Sequence, residues 1–108
     1  MRLVAFLAAL FALSAAHAES LYPAPVEGDY IARDFAFGSG ESLKELRLHY
    51  RTIGALKRDA EGHATNAVLI MHGTTGSGAS FLSENFADVL FKQGGILDAS
   101  EYFIILTD

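Results

Sequence analysis

The sequence predicts an α/β fold, with an antiparallel hairpin leading into a right-handed βαβ unit of a mostly parallel sheet. Three observations predict it. Leu46, Leu48 and Tyr50 alternate with Glu45, Arg47, His49 and Arg51, the period-two pattern of a strand with one covered face. Two later runs, residues 67–71 and 102–106, are continuously apolar, as strands covered on both faces of a parallel sheet are. Between those runs a glycine-rich turn enters a helical pattern, and such strand-helix-strand crossovers are right-handed in about 98% of cases.

Residues 1–18 read as an export signal and stand apart from the fold. Arg2 gives a positive start, residues 3–13 are almost unbroken apolar, and Ala16-His17-Ala18 matches a small-x-small cleavage site. The apolar run is shorter than the roughly 20 residues of a membrane-spanning helix, so cleavage after Ala18 is expected rather than a stable membrane anchor. An exported protein, periplasmic or secreted, follows. Cleavage removes one positive charge and no acid, taking the net charge from −5 to −6. That acidity argues against nucleic acid as a partner, because its phosphates reward a basic patch. The chain contains no cysteine, which excludes disulfides, a thiol nucleophile and cysteine-bound metal.

Residues 19–29, with Pro23, Pro25 and Gly28, read as an extended leader. The domain proper is expected over residues 30–108. Its first strand spans residues 30–37 and ends at Gly38-Ser39-Gly40, a turn that pairs it with the strand around Leu48. A polar connection, residues 54–65, leads to the first apolar strand. The helix is expected over residues 84–92, where Phe86, Val89 and Leu90 share one face. Ser83 suits its cap, and Gly94 suits a left-handed stop. Asp108 closes the last strand.

The loop His72-Gly73-Thr74-Thr75-Gly76-Ser77-Gly78 begins where the first apolar strand ends. In open α/β sheets ligands sit at the carboxyl ends of strands, and glycines let backbone N–H groups turn toward an anion. A Walker phosphate loop fails here because no lysine follows the glycines. A dinucleotide fingerprint needs Gly-x-Gly-x-x-Gly, whereas the order here is Gly73, Gly76, Gly78, and Asp108 falls about ten residues beyond the usual spacing for a ribose contact. A nucleotide-dependent oxidoreductase with a βαβ phosphate-binding loop is thus the alternative. The leading reading is the oxyanion of an acyl-transfer intermediate, for which a backbone N–H at such a strand end is one of two donors.

The segments Leu48-His49-Tyr50-Arg51-Thr52-Ile53-Gly54, Asn66-Ala67-Val68-Leu69-Ile70-Met71-His72-Gly73-Thr74-Thr75-Gly76, and Leu97-Asp98 before Tyr102-Phe103-Ile104-Ile105 together resemble the homoserine O-acetyltransferase-like branch of the α/β-hydrolase superfamily. The resemblance implies the N-terminal part of an α/β-hydrolase fold, incomplete, that stops before the nucleophile elbow. It implies that the backbone N–H of Thr74 serves the oxyanion hole, with His72, Gly73, Thr75 and Gly76 as the supporting loop. It also implies a serine nucleophile in Gly-x-Ser-x-Gly one strand later, with the acid and the base of a Ser-His-Asp triad further on, none of them in this chain. Members of the branch usually carry alanine where Gly73 stands and a bulkier apolar residue where Thr74 stands, so this loop departs toward the general hydrolase pattern.

The implied activity is that of a serine hydrolase or O-acyltransferase acting on a small-molecule acyl substrate, with no cofactor and no metal. Export favours water as the acceptor. A non-catalytic exported binding protein on a hydrolase-like scaffold is a further reading, because fold alone does not fix function. His72 fits a loop-fixing role through a backbone hydrogen bond. Ser77 and Ser80 fit turn and cap roles, and His49 and His63 fit surface positions with no metal spacing. By itself the chain is expected to be inactive and only marginally folded, since its parallel strands lack neighbours.

Overall fold

A computed structural model describes residues 18–108. The stretch expected to be an export signal, residues 1–18, lies outside the described residues apart from Ala18. The elements, in order, are β1 (Val26–Ala36), β2 (Ser42–Ile53), β3 (Ala67–Ile70), a 3-10 turn (Gly78–Leu82), α1 (Ala87–Leu90) and β4 (Phe103–Thr107). Among the described residues they build one four-stranded mixed sheet in the order β1-β2-β4-β3.

β1 and β2 form a long antiparallel ladder in which Tyr30 stands opposite Leu48 and Val26 opposite Thr52. The chain reverses between them through Gly40, whose φ of +92° is left-handed, and Phe37 N–H donates to the Glu41 carbonyl at 2.8 Å. β1 starts at Val26, four residues ahead of the strand read from the sequence. Pro25 rather than Gly28 marks its beginning: Gly28 sits inside the ladder opposite Tyr50, where a Cβ would lie 2.7 Å from the tyrosine oxygen. The leader is not idle either. Tyr22 packs edge-on against Phe91, with ring centroids 5.9 Å apart.

β4 is central, antiparallel to β2 and parallel to β3. Register places Ile53 opposite Ile104 and Arg51 opposite Leu106, so these four side chains share one face. Ile53, Ile104 and Leu106 are fully buried there with Ala87, Phe91 and Ala99. Burying each large apolar side chain contributes about 1.5–3 kcal/mol, which makes this cluster the main source of stability.

The covered face of β2 differs from the one its pattern suggested. Leu48, expected inside, is 44% exposed, while the opposite face carries half-buried His49 and Arg51 into fully buried Ile53. Alternation shows which side chains share a face, and the packing of the 3-10 turn and α1 decides which face is covered. β3 is likewise covered on one side: Val68 and Ile70 are half-buried, while Leu69 and Met71 are 56% and 72% exposed. A continuous apolar run had suggested cover on both.

The helix expected over residues 84–92 contracts to the single turn Ala87–Leu90. Ser83 starts it through its backbone, accepting from the N–H groups of Phe86 and Ala87. It stops because the returning chain takes the next carbonyls: Leu97 N–H bonds to Leu90 O and Ala99 N–H to Phe91 O, both at 3.0 Å. Its buried face is Ala87 and Phe91, flanked by Phe86 and Leu90, and Val89 points outward at 54% exposure. Gly94 adopts a left-handed φ of +77°, but it lies beyond the C-cap Phe91 and so is not the stop of this helix.

Candidate functional site

β3 ends at Ile70, and residues 71–77 leave the carboxyl end of the parallel pair β3 and β4. Residues 73–76 form a β-turn closed by Gly76 N–H donating to Gly73 O at 3.1 Å. The same carbonyl accepts from the His72 ring, Nδ1 to O at 2.6 Å. A carbonyl cannot donate, so Nδ1 carries the proton and Nε2 of a neutral ring is an acceptor. Thr74 and Thr75 occupy the exposed corner of the turn. Among the described residues the Thr74 N–H donates to no protein acceptor.

The glycines have different reasons to be there. A Cβ on Gly76 would meet the His72 Cβ at 3.0 Å, and one on Gly78 would meet the Thr107 carbonyl oxygen at 2.9 Å. Gly78 is therefore a close approach of the loop's far end to β4. At Gly73 a Cβ would have nothing within 4 Å, so space does not demand a glycine there. None of the three has a positive φ, so closeness rather than left-handed backbone explains Gly76 and Gly78.

Ser77 and Ser80 are tied to each other at the start of the 3-10 turn: Ser80 N–H donates to Ser77 O at 3.0 Å, and Ser77 N–H reaches Ser80 Oγ at 3.3 Å. His63 is exposed and pairs with Asp59 in the connecting loop. His49 is only 27% exposed, less than a surface position implies, and its Nδ1 lies 2.7 Å from Asp29 Oδ1. Strand pairing explains this, because Asp29 is the direct neighbour of His49 on β1. Among the described residues no three His, Asp or Glu side chains form a metal-binding group.

Two polar residues that the sequence pattern did not single out organise the site's surroundings. Asn66, buried immediately before β3, uses its whole amide: Oδ1 accepts from Lys57 N–H at 2.7 Å, and Nδ2 donates to the carbonyls of Ala55 and Glu101, each at 2.9 Å. Arg51 reaches both carboxylate oxygens of Asp108 at 2.9 Å and, through Nε, Glu27 at 2.9 Å. Asp108 Oδ1 also accepts from Gly78 N–H at 2.7 Å. That backbone hydrogen bond, reinforced by the Arg51 guanidinium, holds the Asp108 carboxyl below the usual carboxylate range.

The fold has a counterpart among solved structures. Homoserine O-acetyltransferase from Staphylococcus aureus superposes with a TM-score of 0.55 at 20% identity, over 79% of this chain. The chain spans 24% of the length of that enzyme's chain. The shared architecture is thus a mixed-sheet part of an α/β fold. No protein-family model matches the chain, and no curated protein matches it by sequence.

Proposed function

We propose that this chain supplies the oxyanion loop of an exported α/β-hydrolase-fold enzyme related to the homoserine O-acetyltransferase-like branch. In this reading the Thr74 backbone N–H stabilises the negative charge on a tetrahedral acyl intermediate. His72, Gly73, Thr75 and Gly76 hold its turn. The serine nucleophile stands in a Gly-x-Ser-x-Gly elbow beyond Asp108, followed by the acid and base of the triad. The acceptor is water, and the substrate is a small ester or related acyl compound.

The observation that carries this reading is the doubly held Gly73 carbonyl. With the turn fixed by both Gly76 N–H and the His72 ring, the Thr74 N–H stands at the corner free of an acceptor among the described residues. A preorganised donor costs no reorganisation when charge develops, which is how an oxyanion hole accelerates acyl transfer. The nucleotide alternative has less support. Asp108, the acid that would meet a ribose, is engaged by Arg51 and Gly78, and the loop enters a five-residue 3-10 turn rather than a long helix whose N-terminus could face a pyrophosphate.

The test uses the protein expressed from its full coding sequence, in which the elbow is expected within about 60 codons past Asp108. Labelling by a fluorophosphonate and turnover of p-nitrophenyl acetate are expected. Thr74→Pro deletes the N–H and should lower kcat about 10²–10³-fold, whereas Thr74→Ala keeps it and should not. Equal activity in the two variants would remove Thr74 from the oxyanion hole. A protein that neither labels nor turns over ester would favour a non-catalytic binding role.

A further inference from the structure

We propose that Asp108 is a positioning residue that clamps the far end of the glycine-rich loop through Gly78 and thereby sets the direction of the Thr74 N–H. Its consequence for catalysis rests on the oxyanion reading above, but the clamp itself can be measured without activity.

The clamp is a chain of contacts across the sheet. Glu27 on β1 holds the Arg51 Nε, Arg51 on β2 holds both oxygens of Asp108, and Asp108 just after β4 holds the Gly78 N–H. The backbone of Asp108 is fixed as well, its N–H donating to the His49 carbonyl at 3.1 Å. Arg51 is 15% exposed and Asp108 29%, so the pair is shielded from water more than a surface ion pair. An ion pair that merely joined β2 to β4 would leave the second lone pairs of the carboxylate to solvent. Here one of those oxygens is spent on the loop, at the point where Gly78 packs so closely on β4 that no side chain fits.

The loop is thereby held at both ends. At its start β3 and the His72 ring fix Gly73, and at its end Asp108 fixes Gly78. The intervening residues form one turn, and a short segment with both ends anchored has few ways to reorient its corner. Aspartate suits this better than its relatives. Asparagine keeps one oxygen for Gly78 but sets an amide N–H₂ against the guanidinium, and glutamate carries its carboxylate one methylene too far.

Amide exchange and backbone order in ¹⁵N-labelled protein test the clamp, with Asp108→Ala, Asp108→Asn and Arg51→Lys compared with the parent. Loss of one hydrogen bond should speed exchange at Gly78 about tenfold in Asp108→Ala and lower the order of residues 73–77, while Ile104 and Leu106 amides stay protected. Asp108→Asn should restore part of that order. In the full-length enzyme Asp108→Ala should lower kcat with KM little changed. Unaltered loop amides, or equal loosening of the loop and the Ile104 strand in both Asp108 variants, would overturn the clamp. A loosened loop with unchanged kcat in an active enzyme would overturn its role in positioning. If the loop loosens in a protein that neither labels with fluorophosphonate nor turns over ester, the clamp stands and the acyl-transfer reading falls.

Discussion

The Asn66 side-chain amide donates to the Glu101 carbonyl across 35 residues of sequence, 2.9 Å from nitrogen to oxygen. Together with its bonds to Lys57 and Ala55, this makes Asn66 the point where the polar connection, the start of β3 and the approach to β4 meet. Asn66 is buried, so none of those three partners is replaced by water without rearrangement. Asn66→Ala is expected to destabilise the fold by about 2–3 kcal/mol, read as a shift in the urea midpoint at constant slope. Asn66→Asp should cost a similar amount, because a carboxylate keeps the acceptor for Lys57 and loses both donors. A shift under about 0.5 kcal/mol for either variant would show that the site is wetter than its geometry implies.

Gly54 ends β2 with a φ of +88°, and a Cβ there would lie 2.4 Å from the Tyr102 carbonyl oxygen and 2.5 Å from that of Ala99. Backbone strain and overpacking therefore act together. Gly54→Ala is expected to cost about 3 kcal/mol or more, visible as a large drop in Tm. Gly73→Ala is the control, since nothing lies within 4 Å of its Cβ position and its φ is not positive. That substitution should leave Tm nearly unchanged.

Acid should weaken the turn before β4. Asp98 accepts from the Gly94 N–H at 2.7 Å and from both the N–H and the hydroxyl of Ser100. These bonds, the one from Gly94 foremost, hold its carboxyl below the usual range in the folded chain. A carboxyl whose folded pKa lies below its unfolded value of about 3.9 binds protons more readily when unfolded. Its stabilisation is complete above that unfolded pKa and is lost as pH falls through the folded one. Tm should accordingly fall between about pH 5 and pH 2, and Asp98→Asn should flatten that decline while lowering Tm at neutral pH. A parent and variant with parallel Tm-against-pH curves would show that Asp98 takes no part.

How much of the fold was legible follows from how local each signal is. The β2 alternation and the apolar runs that became β3 and β4 are written within a few residues, so β3 and β4 fall within a residue of expectation, whereas β1 starts four residues before the strand read for it and β2 three residues before its alternating stretch. The turn at residues 73–76 was legible for the same reason. The partners of Asn66 and of the Arg51 and Asp108 pair are not, because 35 and 57 residues separate the groups that meet, and no local pattern encodes that. Which face of β2 is covered was illegible too, since it depends on where residues 78–91 pack.

The helix shows the same limit most sharply, and it yields the most direct test. The 3.6-residue pattern grouped Phe86, Val89 and Leu90, whereas the packed face is Ala87 and Phe91 with Phe86 and Leu90 beside it. Phe91 is fully buried and meets both Tyr22 and Phe86 edge-on at 5.9 Å, so its ring joins the leader to the core. Phe91→Ala should cost about 3–5 kcal/mol, the range for emptying a buried aromatic site. Val89→Ala should stay within about 0.5 kcal/mol, as surface changes do. Tyr22→Ala should fall between them, because it removes one half-buried ring and its edge contact but leaves Phe91 in place. Denaturation of the three variants side by side decides the register. If Val89→Ala proved as costly as Phe91→Ala, the turn would be rotated toward the face that the sequence pattern alone suggests, and the returning chain from Leu97 to Ala99 would have to be repacked with it.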